Sequence, residues 1–370
     1  MHTVESFIRP SALPSLALCP GAAKMQAHVL NNICDGGYVE EESEEASVGT
    51  KIHDAAQVGV ESYIAGMDWE NAIGHAKAYA VNQLGLSPWD VIYAERCLGF
   101  AQELIAKYEI EREDILVEHK LNMEYFGLRG GTADLVLIVP YKLVIVVDWK
   151  CGFLDQGEAS EHDQLQAYGS AAADTFKSKK AMVYLFQPRM DTNIRASGAT
   201  FDLSAIEKNK AWTQQVVNAA RAENPELNPS YDACKYCKAL GRCHAAKEWI
   251  MNVFEAIDLL GPAENPHCWG ELIGATKVAE KACENLVGMA KAYMAAGGKA
   301  EGWQLCPSGN GSKVDNKMVV EIAKEKGQLE QVVEYASFKV ELARTIPGYE
   351  KAVISFEKSP SLRPAKSKGK

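Results

Sequence analysis

The chain has 370 residues, 47% of them hydrophobic and 24% charged. This is the balance of an ordinary globular protein, with length enough for two domains or one domain and a substantial appendage. A formal net charge of −10 argues against a general electrostatic coat for DNA. It leaves room for a local basic groove and for carboxylates gathered around a divalent ion. No uncharged run reaches the roughly 18–20 residues that cross a bilayer, and the first twenty residues lack the basic leader of a signal peptide. A cytoplasmic protein with no membrane partner is therefore expected.

In chain order, "VEEESEEAS" (Val39–Ser47) reads as a solvated acidic loop before a helix. The helix follows in "VGTKIHDAAQVGVESYIAG", where Ile52, Ala55, Ala56 and Val60 share one face and His53 lies near the start. "SPWDVIYAERCLGFAQELIAKY" predicts a second helix, capped by Ser87 with Pro88 at its first position. Three strands come next, in "DILVEHKLNM", "GLRGGTADLVLIV" and "KLVIVVDWK". "SEHDQLQAYGSAAADTF" predicts a helix, "KAMVYLFQPR" a strand, and "DLSAIEKNKAWTQQVVNAARAE" a further helix. The order helix–β–β–β–helix–β predicts a mixed α/β core.

Beyond this core lies "YDACKYCKALGRCHAAKEW", then from about Gly261 an α-rich appendage. The appendage holds a helical segment around Leu272–Ala296, the turn-rich "GWQLCPSGNGSKVDNK", two short helical patterns and a basic tail, "SLRPAKSKGK". The expected organisation is an N-terminal segment (1–50), an α/β core (51–230), a cysteine segment (231–260) and the appendage (261–370).

Charges stand at the ends of an otherwise apolar hairpin. Side chains alternate faces along a strand, so Asp148 and Lys150 share one face and Trp149 takes the other. If the two strands pair antiparallel, Asp134 at the start of one lies beside Asp148 at the end of the next. Two carboxylates at one rim repel unless a cation sits between them, and Mg²⁺ or Mn²⁺ suits such an oxygen site. A neighbouring lysine can position a water or stabilise charge developing on a phosphate. Taken alone, Asp-x-Lys is an ordinary surface ion pair. It gains meaning from Glu118 on the preceding strand, His53 on the earlier helix, and Gln164 and Tyr168 one turn apart on the following helix.

This ordered set resembles the RecB-like branch of the PD-(D/E)XK nuclease superfamily, over roughly residues 12–245. The resemblance implies a restriction-endonuclease-like core of order αβββαβ and Mg²⁺- or Mn²⁺-dependent hydrolysis of DNA phosphodiester bonds. It implies metal ligation by Asp134, Asp148 and His53, with the backbone carbonyl of Trp149, and with Glu118 as a less secure match. Lys150 would serve the attacking water, and Gln164 and Tyr168 would hold the site and the DNA strand.

Ten cysteines are many for a reducing compartment, where disulfides are unexpected. Cys234, Cys237 and Cys243 have spacing that can wrap one metal or cluster, with a fourth ligand from adjacent His244 or distant Cys19. The iron–sulfur RecB-like nucleases, among them the CRISPR-adaptation and AddB-type enzymes, look the same here, with one cysteine before the core and three after it. That resemblance implies a [4Fe–4S] cluster on Cys19, Cys234, Cys237 and Cys243; the alternative is Zn²⁺. Cys34, Cys97, Cys151, Cys268, Cys283 and Cys306 read as small buried hydrophobes.

The expected function is that of a DNA nuclease, an exonuclease on ends or single strands, in recombination, repair or replication, with a recombinase or single-strand-binding protein as protein partner. No G-x-x-x-x-G-K-[ST] loop is present, so the sequence supplies no ATP motor of that type. The rival reading is a non-catalytic nucleic-acid-binding or scaffold protein with a structural zinc or iron–sulfur site.

Overall fold

The computed structural model describes residues 2–32, 44–128, 130–152, 155–190, 195–260 and 268–300, with Trp303 and Gly327. The two short helical patterns after the turn-rich stretch, the basic tail, Cys34, Cys306 and the side chain of Cys268 lie outside the described residues. Met1–Leu305 form one compact unit and Cys306–Lys370 a second; the first is described here.

Helices α1 (Leu13–Leu18) and α2 (Ala22–Asn31) precede a long α3 (Glu44–Ile64), α4 (Trp69–Asn82) and α5 (Pro88–Tyr108). Glu44–Ser47, expected as loop, already belong to α3. The Ser87 hydroxyl accepts from the Asp90 N–H at 3.2 Å and Pro88 opens α5, as the sequence predicts. Helix α4 was not expected. Asp68 caps it, accepting from Asn71 N–H at 2.9 Å, and it buries only Ala72, Ala76 and Ala80, an alanine stripe with little hydrophobic contrast.

Five strands form one mixed sheet in the order β1 (Ile115–Leu121), β2 (Gly131–Val139), β3 (Leu143–Trp149), β4 (Lys180–Phe186) and β5 (Ala196–Asp202). All neighbours are antiparallel except β3 and β4, which run parallel with α6 (Asp163–Thr175) as the crossover. One face of the sheet presents Val136, Val144, Val146, Val183 and Leu185 to α6, α7 (Leu203–Arg221) and α1. The other presents Leu135, Leu137, Ile145 and Val147 to α3 and α5. Strand β3 is covered on both sides, hence its near-continuous Val/Ile run. Strand β5 was not expected: "ASGATFD" has few branched residues and alternates in exposure, as an edge strand can.

After α7, helix α8 (Tyr231–Cys234) leads into α9 (His244–Leu260) and α10 (Cys268–Ala295). Helix α10 packs on the cysteine segment: Val278 joins Cys234, Leu240 and Ala246, and Met289 joins Val29 and Ala239. The N-terminal segment closes onto the same region. Gly21 N–H donates to Glu226 O at 2.7 Å, and a Cβ at Gly21 would meet that oxygen at 2.9 Å. Among the described residues no helix is long and apolar enough to cross a membrane.

Candidate functional site

The β2–β3 register sets the first distance. Leu135 pairs with Val147, so Asp134 and Asp148 follow one step beyond, at the same rim. The Trp149 N–H donates to Asp134 Oδ2 at 2.6 Å, which locks the aspartate against the end of β3. Both aspartates are buried, and Lys150 Nζ lies 2.7 Å from Asp148 Oδ2. The Lys150 N–H donates to Phe186 O at 2.9 Å, so the lysine backbone is tied to the end of β4.

Helix α3 brings His53 to the same rim. Its Nε2 stands 3.0 Å from Asp134 Oδ2 and its Nδ1 3.4 Å from Glu118 Oε1. Its ring packs edge-on against Trp149, with centroids 5.6 Å apart. Glu118 arrives by an unusual backbone. It sits mid-strand opposite Asp134, between the pairs Val117–Leu135 and His119–Ala133, yet has φ of 46°, the left-handed region that a glutamate rarely occupies. Strain of this kind persists only where surrounding structure enforces it. His53, Glu118 and Asp134 each offer a ligand atom within 4.8 Å of the others, a group able to hold a metal ion. Asp148 stands beside this trio, held by Lys150. Of the expected ligands, His53, Asp134 and the less secure match Glu118 fall in that group; Asp148 is not part of it and is paired with Lys150 instead. The Trp149 carbonyl belongs to the residue whose N–H fixes Asp134.

The electrostatics are those of crowded acids. Burial and then the charge of Asp148 push the Asp134 carboxyl up, and burial pushes Glu118 up. Burial opposes the His53 charge, but the bond to Asp134 and the charges of Asp134 and Glu118 override it and push His53 up to about 9. Lys150 follows the same logic: burial lowers its pKa, and Asp148 more than restores it.

Helix α6 adds the remaining pair. Tyr168 is buried, its hydroxyl pushed up to about 12 by burial, with Gln164 as its hydrogen-bond partner one turn earlier. The tyrosine packs against the start of β2 so closely that a Cβ at Gly131 would lie 2.4 Å from its Cε1. His162, at the head of α6, senses both Asp148 and Lys150, and its buried Nδ1 has no protein partner. Its position was not anticipated; in the sequence it is one polar residue in a polar stretch.

The second constellation is a recess lined by Cys19, Cys234, Cys237 and Cys243, closed by Met25, Leu227 and Leu240. Asn228 N–H donates to Cys19 Sγ at 3.3 Å. Burial pushes the Cys234 thiol up to about 11 and Cys237 up to about 12, so bare thiolates are disfavoured there without a cation. His244 is exposed and does not line the recess. Of the other cysteines, Cys97 and Cys151 are buried as expected, and Cys283 is instead exposed on α10.

The chain belongs to a family described as "Protein of unknown function (DUF2800)", whose model matches residues 17–347. No curated protein matches it. A solved structure titled "Crystal structure of SSO0001" is similar at 17% identity over 60% of this chain and 94% of its own, with a TM-score of 0.24.

Proposed function

We propose that the chain is a divalent-metal-dependent DNA nuclease of the RecB-like PD-(D/E)XK type, acting on ends or single strands. The observation that carries the reading is the convergence of His53, Glu118, Asp134, Asp148 and Lys150 on one rim, with Gln164 and Tyr168 beside it. The donor set fits Mg²⁺ or Mn²⁺: mostly carboxylate oxygen, one imidazole, and acids whose raised pKa values a cation would relieve. A bound ion would supply positive charge to a phosphate and acidify a water. Asp134 and Asp148 orient the site, Lys150 aligns the nucleophile or steadies charge on the phosphate, and Gln164 and Tyr168 brace the rim from α6.

The group proposed for the cysteine recess is a [4Fe–4S] cluster held by Cys19, Cys234, Cys237 and Cys243, with Zn²⁺ as the alternative; the support is that these four thiols line the recess while the exposed His244 does not. Its role is structural: it staples the segment before the core to the segment after it. Recombination, repair or replication is the proposed setting, with a recombinase or single-strand-binding protein as partner. Incubation of the purified protein with end-labelled single- and double-stranded linear DNA and circular DNA tests the reading. Cleavage that requires Mg²⁺ or Mn²⁺ and stops with EDTA is expected; intact substrate under every condition would overturn it.

A further inference from the structure

Helix α5 runs alongside β4, and its N-terminal half stands at the end of the sheet where the acidic rim lies. Phe100 stacks on Phe186, the last residue of β4, with ring centroids 4.4 Å apart. Toward the other end of the helix, Tyr108 OH reaches Met182 Sδ at 3.3 Å, near the start of β4. One turn before Phe100, Arg96 donates from Nη1 to Pro188 O at 2.8 Å, two residues past the Phe186 carbonyl that accepts from Lys150. Arg189 stands 3.4 Å from Asp90 and is almost wholly buried, its side chain 4% exposed.

Between these arginines lies Tyr93. The Arg189 guanidinium carbon is 4.6 Å from its ring centroid and that of Arg96 is 5.4 Å away. Tyr93 and Arg96 are both partly exposed. The tier is therefore a buried cation bracing an aromatic ring, with a second, accessible cation beside it. A guanidinium has five N–H donors, and the bond to Pro188 uses one. In a chain of net charge −10, a cationic group on an aromatic face beside carboxylates and a lysine calls for a phosphate-bearing polymer.

We propose that Arg96 and Tyr93 form a strand-binding subsite, in which Arg96 holds a backbone phosphate of single-stranded DNA flanking the one presented to Lys150 and Tyr93 takes an adjacent sugar or base. The identity of the polymer rests on the nuclease reading. Arg189 is a positioning residue here: it holds the tyrosine ring and leaves contact with the strand to Arg96.

A fluorescein-labelled single-stranded oligonucleotide, titrated with full-length protein in EDTA at several salt concentrations, separates binding from cleavage. Arg96→Gln should bind about fivefold to tenfold more weakly, with a salt slope shallower by about 0.7, the loss of one phosphate contact on a single strand. Arg96→Lys should keep the slope. Tyr93→Leu should weaken binding by a similar factor without changing the slope, because stacking is not ionic. Arg112→Gln is the control. That arginine also stacks on a tyrosine, Tyr63, at 4.5 Å, but it precedes β1 at the opposite end of the sheet. It should bind as wild type. In Mn²⁺ the Arg96 variants should raise KM more than they lower kcat.

Wild-type affinity, slope and KM in folded Arg96→Gln and Tyr93→Leu would overturn the subsite while leaving a cleaving wild type as a nuclease. If Arg96→Gln fails to fold after losing Pro188, Arg96→Lys and Tyr93→Leu decide the point. A wild type that binds the strand through Arg96 but never cleaves would remove the nuclease reading and keep the subsite. A wild type that does not bind would remove the subsite and leave the nuclease reading to the cleavage assay.

Discussion

Asp134 Oδ2 accepts the Trp149 N–H at 2.6 Å, so the strand that carries Asp148 and Lys150 also fixes the first aspartate. The same oxygen stands 3.0 Å from His53 Nε2. A single carboxylate oxygen thus couples β2, β3 and α3. Preorganisation of this kind is what a site for charge development in a transition state needs.

The coupling makes metal binding a proton exchange. His53 is pushed up to about 9, so below that pH the ring carries a proton and has no lone pair for a metal. Mn²⁺ affinity should fall by about tenfold per pH unit as pH drops below 9, with release of a proton on binding. The metal-free fold should show the opposite dependence. The stabilisation from this raised pKa is complete below about 6.5 and is lost as pH rises through about 9. Calorimetric titration with Mn²⁺ in buffers of different ionisation enthalpy counts the proton. His53→Gln should flatten the pH profile, and the same steep profile in that variant would exclude His53 as the group concerned.

Substitutions of the acids should separate activity from stability. Asp134→Asn and Lys150→Ala should each lower cleavage by about 10²-fold or more. Asp134→Asn should lower the melting temperature only modestly at neutral pH, because the lost partner of protonated His53 is offset by relief of a charge that burial and Asp148 disfavour. Circular-dichroism melting beside the cleavage assay checks both. A strong fall in melting temperature with activity retained would assign Asp134 to the fold and not to the chemistry.

Gly131 tests the bracing of the rim by α6. A Cβ there would lie 2.4 Å from Tyr168 Cε1 and 2.9 Å from Pro10 Cγ. Gly131→Ala should destabilise the protein by about 1–3 kcal/mol through overpacking. Adding Tyr168→Leu should restore part of the stability and none of the activity, since the space returns while the Gln164–Tyr168 pair does not. Denaturant unfolding of the single and double variants gives the coupling; strictly additive effects would show that Gly131 serves no contact with Tyr168.

Much of this arrangement was legible in the sequence because strong local signals coincide with it. Ser87-Pro88 announced α5, and the β-branched runs announced β2 and β3 with both aspartates at one rim. What was hidden had weak local signals or depended on three-dimensional neighbours. Helix α4 buries only alanines, and β5 is an edge strand of small residues. In the sequence Glu118 stands out only as the less secure match; its left-handed backbone and its approach to His53 follow from how β1 lies beside β2 and under α3. Tyr93 and Arg96 lie in the predicted helix without any signal of their own, and their place follows from the chain after β4 passing beside them. Cys283 carried the same sequence signal as Cys97, and only the packing of α10 separates exposed from buried.

The cysteine recess permits the sharpest test, because its ligands come from ends of the core far apart in sequence. Cys19 follows α1 and the triplet surrounds the turn after α8, yet all four thiols line one recess. Replacing Cys19, Cys234, Cys237 or Cys243 by Ala should leave three ligands on a site that requires four, so iron content should fall and the closure of the N-terminal segment on Glu226 should weaken. His244→Ala should be mild, since His244 is exposed and lies outside the recess. Cys283→Ala should be silent, and Cys97→Ala should cost only the packing of a small buried group. Metal analysis of anaerobically purified wild type and these variants, with the visible spectrum of each, reads the outcome. A brown wild type that loses iron in Cys19→Ala and keeps it in His244→Ala supports the cluster. A colourless wild type with one zinc per chain, indifferent to Cys19→Ala and emptied by His244→Ala, would replace the cluster with a Cys₃His zinc site. The acidic rim would be untouched by that result, because no residue of His53, Glu118, Asp134, Asp148 or Lys150 lines the recess.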